Sequence, residues 1–386
     1  MDKDGDRMDK TNKEKGASKA RIDPWTSDEI RDYDRLFEDF GLKRFPDSYR
    51  DVIDSHIFKR PGIIVAERDF DKIIDRIKEK KPFIVMTGIA SSGPLHLGHK
   101  MIIDLVKSFK KMNAKIYFAI CDIDAYVSRP DYKVPSLEKA KEFAVENLAH
   151  AFALGLEKQD VYVQSQKERR FFEFSFELSK KITANTFKAV YGHLDLGKIA
   201  ANLLQYADVL HPQLPEYEGK MPSLTPIGLE QDPHARVIRD IAKRLPYNFE
   251  LPSFLYITPQ PGLQEGSKMS SSKPDSSILL SDDINDVKKK LYNAFTGGRV
   301  SVKEQRRHGG VPEKCKIYTI FKYHHVSSKS VEEIFYRCKT GSLLCGECKN
   351  ICFEFIEKFL LSHQDRFNKY KPIAEEIVYE GYKWNR

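Results

Sequence analysis

The sequence predicts an α/β protein built on a doubly wound parallel sheet and followed by a mostly α-helical C-terminal domain. Residues 83–86 form a short apolar run, followed by a turn rich in Gly, Ser and Pro and then by a helical pattern. Residues 115–121 and 160–164 repeat this alternation of buried strand and helix, which is typical of a parallel sheet covered by helices. Helical spacing dominates from residue 282 onward, so a second domain is expected to begin there.

The other elements follow from the spacing of apolar residues. Helices are predicted at residues 28–40, 47–58, 69–80, 101–112, 136–155, 171–186, 199–209, 229–244 and 285–295, and a fourth strand at 224–228. Residues 58–68 are interpreted as a hairpin or an ordered flap. The expected division is a disordered tail at 1–20, a helical and flap segment at 21–80, the main α/β domain at 81–281 and the helical domain at 282–386.

Composition narrows the possible classes of protein. The chain has 386 residues, and 41% of them are hydrophobic, enough for a sizeable core. It contains no apolar run of about 18 residues, so no membrane span is expected. Its polar N-terminus lacks the apolar core of a signal peptide, which makes a cytoplasmic location the default. The net charge of +8 permits contact with nucleic-acid phosphates, although many soluble enzymes are as basic.

Six cysteines are spread unevenly along the chain, most of them near its end. Cys345 and Cys348 form a C-x-x-C pattern, with Cys338 before it and Cys352 after it. A zinc site usually takes its four ligands as two close pairs, and the second pair is missing here. We therefore expect reduced, half-buried thiols in a reducing compartment, with zinc binding as the alternative.

The stretch from residue 83 to residue 100 predicts a site for a nucleotide triphosphate. The turn after the strand lets backbone N–H groups face a ligand. His96 and His99 lie where the loop enters a helix, and a helix N-terminus favours anions. Their imidazoles can donate to phosphate oxygens, and Gly98 between them leaves room for a flat base. Alternatively, the two histidines only cap the helix or fill a surface groove.

A second stretch, K-M-S-S-S-K, spans residues 268–273 in a polar loop. A lysine followed by hydroxyls on a mobile loop suits a leaving pyrophosphate, because the loop can bring a positive charge over the leaving group. Taken alone, the stretch is equally compatible with a solvated loop.

Carboxylates follow the second predicted strand, at the edge where a doubly wound sheet binds its ligands. Asp122 and Asp124 are the two candidates. One of them can hold an amine or an indole N–H while the other caps a helix, a role that Asp fills readily. Asp124 is favoured as the ligand-facing residue.

Further polar residues occur near predicted apolar elements. Gln205 lies inside an apolar helical run, with Asp208 after it. Gln231 and Asp232 follow the strand at 224–228. We expect these last two side chains to point into the same cleft as Asp124.

Together these stretches resemble the signatures of class I aminoacyl-tRNA synthetases. M-T-G-I-A-S-S-G-P-L-H-L-G-H, C-D-I-D-A-Y, G-L-E-Q-D-P-H-A-R and K-M-S-S-S-K, with T-G-G-R and C-G-E-C-K in the helical domain, are similar to those of tryptophanyl-tRNA synthetases of the archaeal and eukaryotic type. The resemblance covers nearly the whole chain after the tail. The Gln-Asp-Pro stretch separates it from the sister tyrosyl enzymes, which read a phenol hydroxyl with a Tyr and an Asp.

This resemblance implies a Rossmann-like catalytic domain with a helical anticodon-binding domain. It also implies a cytoplasmic homodimer that acts on L-tryptophan and tRNA(Trp) with ATP and Mg²⁺. No protein nucleophile and no protein-bound metal are expected, because the chemistry needs only placement and charge stabilisation.

The same resemblance assigns roles to individual residues. Catalysis at the phosphates is expected from His96, His99, Lys268 and Ser270, ATP binding from Thr87, Gly88, Gly98, Gly228 and Met269, and tryptophan binding from Met86, Asp124, Gln205, Gln231 and Asp232.

Two positions depart from the better-known eukaryotic enzymes, which have an Arg where this chain has Ile89 and a Tyr where it has Met86. The first departure implies that another basic group contacts the triphosphate, and the second leaves one wall of the tryptophan pocket unassigned. Three alternatives stay open. They are a tyrosyl-tRNA synthetase, a small-molecule nucleotidyltransferase, which generally lacks the second loop, and a non-catalytic RNA-binding relative, which often loses the histidines or the lysine.

Overall fold

A seven-stranded sheet forms the centre of the computed structural model, which describes residues 41–270 and 273–381. The strands are β1 Lys43–Arg44, β2 Ile64–Arg68, β3 Phe83–Ala90, β4 Ala114–Cys121, β5 Val161–Val163, β6 Ser223–Gly228 and β7 Ser253–Ile257. Their order across the sheet is β1-β2-β7-β6-β3-β4-β5. The predicted tail at 1–20 and the predicted helix at 28–40 lie outside the described residues.

Five neighbouring strands, β7, β6, β3, β4 and β5, run parallel. From β3 the chain winds to one side through β4 and β5 and then to the other side through β6 and β7. The carboxyl ends of β3 and β6 therefore lie where the winding direction changes, which is where ligands bind in such sheets. β1 and β2 add an antiparallel edge beside β7. The predicted α/β, doubly wound class is confirmed.

Fourteen α-helices surround this sheet in the described part of the chain. They are α1 Asp47–Arg50, α2 Asp71–Lys78, α3 Leu97–Lys110, α4 Asp122–Ser128, α5 Leu137–Ala153, α6 Arg169–Ser179, α7 Ala184–Tyr191, α8 Leu196–Leu210, α9 Asp232–Arg244, α10 Ile284–Tyr292, α11 Val302–His308, α12 Lys316–His324, α13 Ser328–Lys339 and α14 Cys345–Glu380. The predicted helices within the described residues are found with shifted ends. Residues 47–58 keep only the single turn of α1, and residues 171–186 divide into α6 and α7.

The antiparallel edge and its neighbour β7 are the parts of the sheet that the sequence does not predict. β7 is a run of five buried residues, S-F-L-Y-I. A short apolar run of this kind has no period that distinguishes a strand from a buried helix turn. Residues 58–68, interpreted as a hairpin or flap, contribute β2, which pairs with β7.

The C-terminal helices pack directly on the α/β part. The 36-residue helix α14 lies against α5, and Nδ1 of His150 in α5 is 2.9 Å from Nε2 of His363 in α14. One hydrophobic cluster runs from Phe83 in the sheet through Leu280 to Ile356 in α14. The two parts therefore share a core. None of the helices in the described ranges combines the length and the apolar character that crossing a membrane requires.

Candidate active site

A cleft of about 570 Å³ opens at the carboxyl ends of β3, β4 and β6. Its walls are the last residues of these strands, the start of α3, the loop after α4, one face of α8 and the loop at 268–270. All the site residues expected from the sequence line this cleft except Gly98 and Asp232. The structure therefore brings residues from distant parts of the chain to the switch point of the sheet.

The two histidines form the N-terminus of α3. The backbone N–H of Gly98 donates to Nδ1 of His96, and the backbone N–H of His96 donates to Nδ1 of His99, both at 3.1 Å. Because Nδ1 accepts in each ring, the hydrogen-bond network assigns the proton of the neutral imidazole to Nε2. Burial lowers the pKa of both rings, to about 4 for His99. The histidines do cap the helix, and this capping leaves two neutral Nε2 donors for a ligand.

Two glycines shape this region at close range. A Cβ atom on Gly88 would lie 2.7 Å from a carbonyl oxygen of β4, and a Cβ atom on Gly98 would lie 2.9 Å from the His96 ring. Thr87, beside Gly88, donates its hydroxyl to the carbonyl of Pro226 at 3.0 Å and so joins β3 to β6. Gly98 is expected from the sequence to make room for a base, but the structure places it beneath the histidine turn, outside the cleft lining.

The loop that carries Lys268 is anchored beside α3. The N–H of Met269 donates to the carbonyl of Gln260 at 3.0 Å. A few residues later the chain reaches the helix itself, where the N–H of Leu97 donates to the carbonyl of Ile278 at 3.1 Å. The lysine loop and the histidine turn are therefore structural neighbours, as two signatures of one phosphate site require.

Two basic side chains that sequence reasoning leaves unassigned also line the cleft. Arg129 and Lys133 follow α4, and Nε of Arg129 is buried without a hydrogen-bond partner among the described residues. Burial, with the neighbouring guanidinium, lowers the pKa of Lys133. A guanidinium with a free donor suits a phosphate oxygen. Ile89, which stands where the better-known eukaryotic enzymes have an Arg, lines the same cleft. Arg129 and Lys133 are therefore candidates for the basic group that takes the place of that Arg.

Asp124, the expected ligand-facing carboxylate, is held in place at the start of α4. Its Oδ1 accepts from the Ser128 hydroxyl at 3.1 Å, and its backbone N–H donates to Oε1 of Gln164 at 2.9 Å. Burial raises the pKa of Asp124, and the positive charge of Arg129 opposes this.

Asp208 is a cleft residue whose role sequence reasoning does not assign. The Tyr162 hydroxyl donates to its Oδ1 at 2.7 Å, and Nε2 of Gln164 donates to its Oδ2 at 3.0 Å. Burial raises the pKa of Asp208 to about 7. Asp208 and Gln205 are three residues apart in α8, so they share a helix face. Two polar residues at this spacing in an otherwise apolar helix are the sequence signal that could have identified Asp208 as a site residue.

Asp232 is not where the sequence analysis expects it. Nη2 of Arg68 and the hydroxyl of Tyr256 donate to its Oδ1 at 2.9 Å and 2.5 Å, and Nε of Arg236 lies 3.0 Å from its Oδ2. The carboxylate is fully buried among these partners, which leaves it no position in the cleft lining. Its structural effect is to fix the start of α9, directly after Gln231, which does line the cleft.

Two uncharged polar groups complete the wall. Asn202 presents a buried amide nitrogen without a hydrogen-bond partner among the described residues. His234 has its Nδ1 2.8 Å from the Tyr191 hydroxyl, which in turn lies 2.6 Å from the Tyr206 hydroxyl. Burial lowers the pKa of His234 to about 3, so this ring is neutral.

Known proteins share this architecture. A family model described as tRNA synthetases class I (W and Y) matches residues 78–361. The tryptophan–tRNA ligases of Methanocaldococcus jannaschii and Aeropyrum pernix are 40% and 41% identical to this chain, over 92% and 93% of it and 98% of each relative.

Solved structures agree. The crystal structure of the Aeropyrum pernix tryptophanyl-tRNA synthetase matches with a TM-score of 0.82 at 40% identity, covering 92% of this chain and 98% of that one. That of the Encephalitozoon cuniculi enzyme bound to tryptophan matches with a TM-score of 0.77 at 26% identity, covering 91% and 98%. The chain therefore belongs to the class I tRNA synthetases of the tryptophan and tyrosine family.

Proposed function

We propose that this protein activates L-tryptophan with ATP and transfers it to tRNA(Trp), as a tryptophan–tRNA ligase does. The observation that carries this proposal is the single cleft in which a phosphate side and an amino-acid side meet. We define the phosphate side as His96, His99 and Lys268. We define the amino-acid side as the polar residues Asp124, Gln205, Asp208 and Gln231.

The phosphate side serves adenylate formation. A carboxylate oxygen of tryptophan attacks the α-phosphorus of ATP, and the bond from that phosphorus to the bridging oxygen of pyrophosphate breaks. His96 and His99 donate from Nε2 to phosphate oxygens, next to the N-terminus of α3, where the helix dipole favours negative charge. Lys268 stabilises the charge that develops on the leaving pyrophosphate. Thr87, Gly88, Gly228, Met269 and Ser270 border the nucleotide.

Arg129 and Lys133 provide the further basic contact to the triphosphate. Their support is the unpartnered, buried Nε of Arg129 and the lack of an arginine at position 89. The charge of Arg129 also acts on Asp124, and its buried Nε–H is available to a phosphate oxygen.

The amino-acid side recognises tryptophan through its one polar ring group, the indole N–H, which is a donor only. Asp208 is the best placed acceptor, because its carboxylate is buried, lines the cleft and is already oriented by two donors. Met86 and Cys121 give this part of the wall its apolar character. Asp124, Gln205 and Gln231 then bind the α-amino group and the carboxylate. A phenol hydroxyl lies elsewhere on its ring, so tyrosine is rejected by shape.

The second step needs no protein nucleophile. The terminal ribose hydroxyl of tRNA(Trp) attacks the carbonyl carbon of the adenylate, loses its proton, and AMP leaves. The helical domain from residue 282 holds the anticodon arm. Its basic residues supply phosphate contacts, and they include Lys288, Arg299, Arg306 and Arg307.

Mg²⁺ is expected to arrive on the phosphates of ATP. No group of three or more His, Cys, Asp or Glu side chains within the described residues is arranged around a metal-ion position. In nucleotide sites Mg²⁺ is held mainly by substrate phosphates and water, with one or two carboxylates. The cytoplasmic location that the family resemblance implies is part of this proposal.

A homodimer is supported by exposed apolar side chains around α6 and α8, two helices that pack together. Phe171 and Phe174 of α6 are buried, whereas Phe176 is 72% exposed and Leu196, at the start of α8, is 85% exposed. Light scattering should give a dimer mass for the unsubstituted chain and a monomer mass for Leu196→Asp. Val300→Asp is the matched control, since that valine is fully exposed on a different part of the chain.

Charging of tRNA tests the proposed function. The protein is incubated with ATP, Mg²⁺ and labelled tryptophan or tyrosine, each with tRNA(Trp) or tRNA(Tyr). Label should accumulate on tRNA(Trp) with tryptophan alone. Charging of tRNA(Tyr) with tyrosine would place the chain with the sister enzymes, and no charging of either tRNA would contradict the proposal.

A further inference from the structure

Asn202 is a residue of the cleft wall to which the proposed function gives no role. It lies in α8, lines the cleft and is only 3% exposed. Its amide nitrogen Nδ2 has no hydrogen-bond partner among the described residues. A buried donor that stays unpaired destabilises the folded protein. Because this donor borders the cleft, a ligand that brings an acceptor removes the penalty on binding.

Thr225 is the other uncharged cleft residue whose buried side chain has no hydrogen-bond partner in the described part of the chain. Val85 pairs with Leu224 across β3 and β6, so Met86 and Thr225 follow as neighbours on one face of the sheet. Thr225 therefore lies beside the wall assigned to the tryptophan ring. Its hydroxyl can turn to donate or to accept, whereas the amide nitrogen of Asn202 only donates.

The position of Asn202 along α8 matches the far end of a bound tryptophan. Asn202, Gln205 and Asp208 are spaced three residues apart, so they share one face of the helix. At ~1.5 Å per residue, Asn202 lies about 9 Å from Asp208 along the helix axis. A tryptophan molecule with a hydrogen bond of about 3 Å at each end spans a similar distance. With its indole at Asp208 and its α-amino group at Gln205, its carboxylate comes within range of Asn202.

The charges of the amino-acid side make a donor necessary there. Burial raises the pKa of Asp208, and the negative charge of Asp124 raises it further, so these two carboxylates are close enough to act on each other. Acidic side chains suit the α-ammonium group of an amino acid. The α-carboxylate of the same molecule brings a third negative charge, which both aspartates repel. It therefore needs a hydrogen-bond donor, and an unpaired amide nitrogen is one.

We propose that Nδ2 of Asn202 donates to an oxygen of the α-carboxylate of tryptophan and so selects amino acids against the corresponding amines. This inference rests on the proposed function, because it adds one contact to the same site. The contact is also available after adenylate formation, since the carbonyl oxygen of the acyl group is an acceptor. The ligand class is thus an α-amino acid or its adenylate, with an ammonium group for the acidic residues and an acceptor for Asn202.

Two ligands that differ only in the carboxylate test this contact. Tryptamine has the indole ring and the ammonium group of tryptophan but lacks its carboxylate. The Kd of each ligand is measured by calorimetry on the full-length protein without ATP. Asn202→Leu should raise the Kd for tryptophan by about ten-fold or more, because a hydrogen bond to a charged group is lost. Its Kd for tryptamine should change by less than about two-fold.

Asn202→Asp provides a second, independent variant. The side chain keeps its size, but an acceptor with a negative charge replaces the donor. Tryptophan binding should weaken by at least as much as in Asn202→Leu, because the two carboxylates repel each other. Tryptamine should bind as tightly as before or more tightly, since its ammonium group gains a negative neighbour.

Asn147→Leu is the matched control for the loss of a buried amide. Asn147 in α5 is fully buried, neither atom of its amide group has a partner among the described residues, and it does not line the cleft. This variant should bind both ligands like the unsubstituted chain. Thermal unfolding without ligand should show Asn202→Leu at least as stable as the unsubstituted chain, because an unpaired donor is removed. The stabilisation that added tryptophan gives should shrink in that variant.

Each failure has a distinct meaning. Unchanged tryptophan affinity in Asn202→Leu overturns this inference and points to another donor, such as Arg129, as the carboxylate contact. Equal weakening of tryptophan and tryptamine overturns it as well, because the effect then does not depend on the carboxylate. If the unsubstituted chain neither binds tryptophan nor exchanges pyrophosphate with it, the proposed function fails and this inference fails with it.

Discussion

The two sides of the cleft are built in different ways. The phosphate side comes from two short stretches, and backbone hydrogen bonds hold His96 and His99 in one turn of chain. The amino-acid side collects side chains from α4, α8 and the start of α9. Asp208 is oriented there by Tyr162 and Gln164, which lie more than forty residues away in sequence.

We expect the two sides to affect different kinetic constants. The contact of Lys268 to the leaving pyrophosphate strengthens as charge develops there, so its loss should lower kcat, whereas a contact made equally to bound ATP mainly affects the KM for ATP. Contacts to the tryptophan side chain are the same before and during reaction, so their loss should raise KM or Kd for tryptophan. Each substitution below is expected to affect the function of one side of the cleft and to leave that of the other side unchanged.

Replacing Lys268 with Ala should have the largest effect. The expected loss in the rate of adenylate formation is about 2–4 kcal/mol, because one charge donor to the transition state is removed. Tryptophan affinity, measured by calorimetry, should hardly change. Lys188→Ala, an exposed lysine outside the cleft, is the control. A rate within a few-fold of the unsubstituted protein would remove Lys268 from the phosphate side.

Asp208→Asn should weaken tryptophan binding by about 2 kcal/mol, since the indole N–H then meets a neutral amide in place of a carboxylate. The Kd for ATP, measured without amino acid, should stay unchanged. If tryptophan affinity is unaffected, the indole N–H is read elsewhere.

Gln231→Leu and Asp124→Ala should each raise the KM for tryptophan by about ten-fold or more, corresponding to about 1.4 kcal/mol. ATP affinity without amino acid is again the internal control. A structure with bound tryptophan that shows neither side chain within hydrogen-bond reach would end this assignment without affecting the family assignment.

Arg129→Ala should raise the KM for ATP by about five-fold, corresponding to the loss of one charge-assisted contact of about 1 kcal/mol. Arg169→Ala, whose side chain is 90% exposed on α6, is the matched control. Equal KM values in the two variants would mean that another basic group replaces the arginine absent at position 89.

The smallest effect concerns pH. Burial raises the pKa of Asp208 to about 7. An indole N–H prefers the ionised carboxylate, so the Kd for tryptophan should fall by up to about ten-fold as pH rises from about 6 to about 8. Asp208→Asn should remove most of this dependence. The stability of the ligand-free protein should change in the opposite direction. The raised pKa of Asp208 stabilises the folded state at low pH, and this contribution to stability is lost as pH rises through about 7.

The phosphate side and the parallel sheet are predictable from the sequence because their signals are local. Apolar runs mark β3 and β4, and the glycine turn and the two histidines occupy one continuous stretch. The histidines do cap the helix as the alternative expects, and because the capping contact uses Nδ1, phosphate binding through Nε2 of the same ring stays a prediction.

The amino-acid side is less predictable because its signals depend on tertiary packing. Nothing next to Asp208 in sequence shows that Tyr162 will reach it, and nothing next to Asp232 shows that Arg68 and Tyr256 will enclose it. The two aspartates look alike in sequence, yet one lines the cleft and the other is buried behind it.

The central proposal is that one cleft joins a phosphate side with an amino-acid side that selects tryptophan. Exchange of labelled pyrophosphate into ATP, measured with each standard amino acid in turn and without tRNA, tests it most directly. The account predicts exchange with tryptophan, little with tyrosine or phenylalanine, and almost none with tryptophan in Lys268→Ala. Exchange that is as fast with tyrosine as with tryptophan would contradict it.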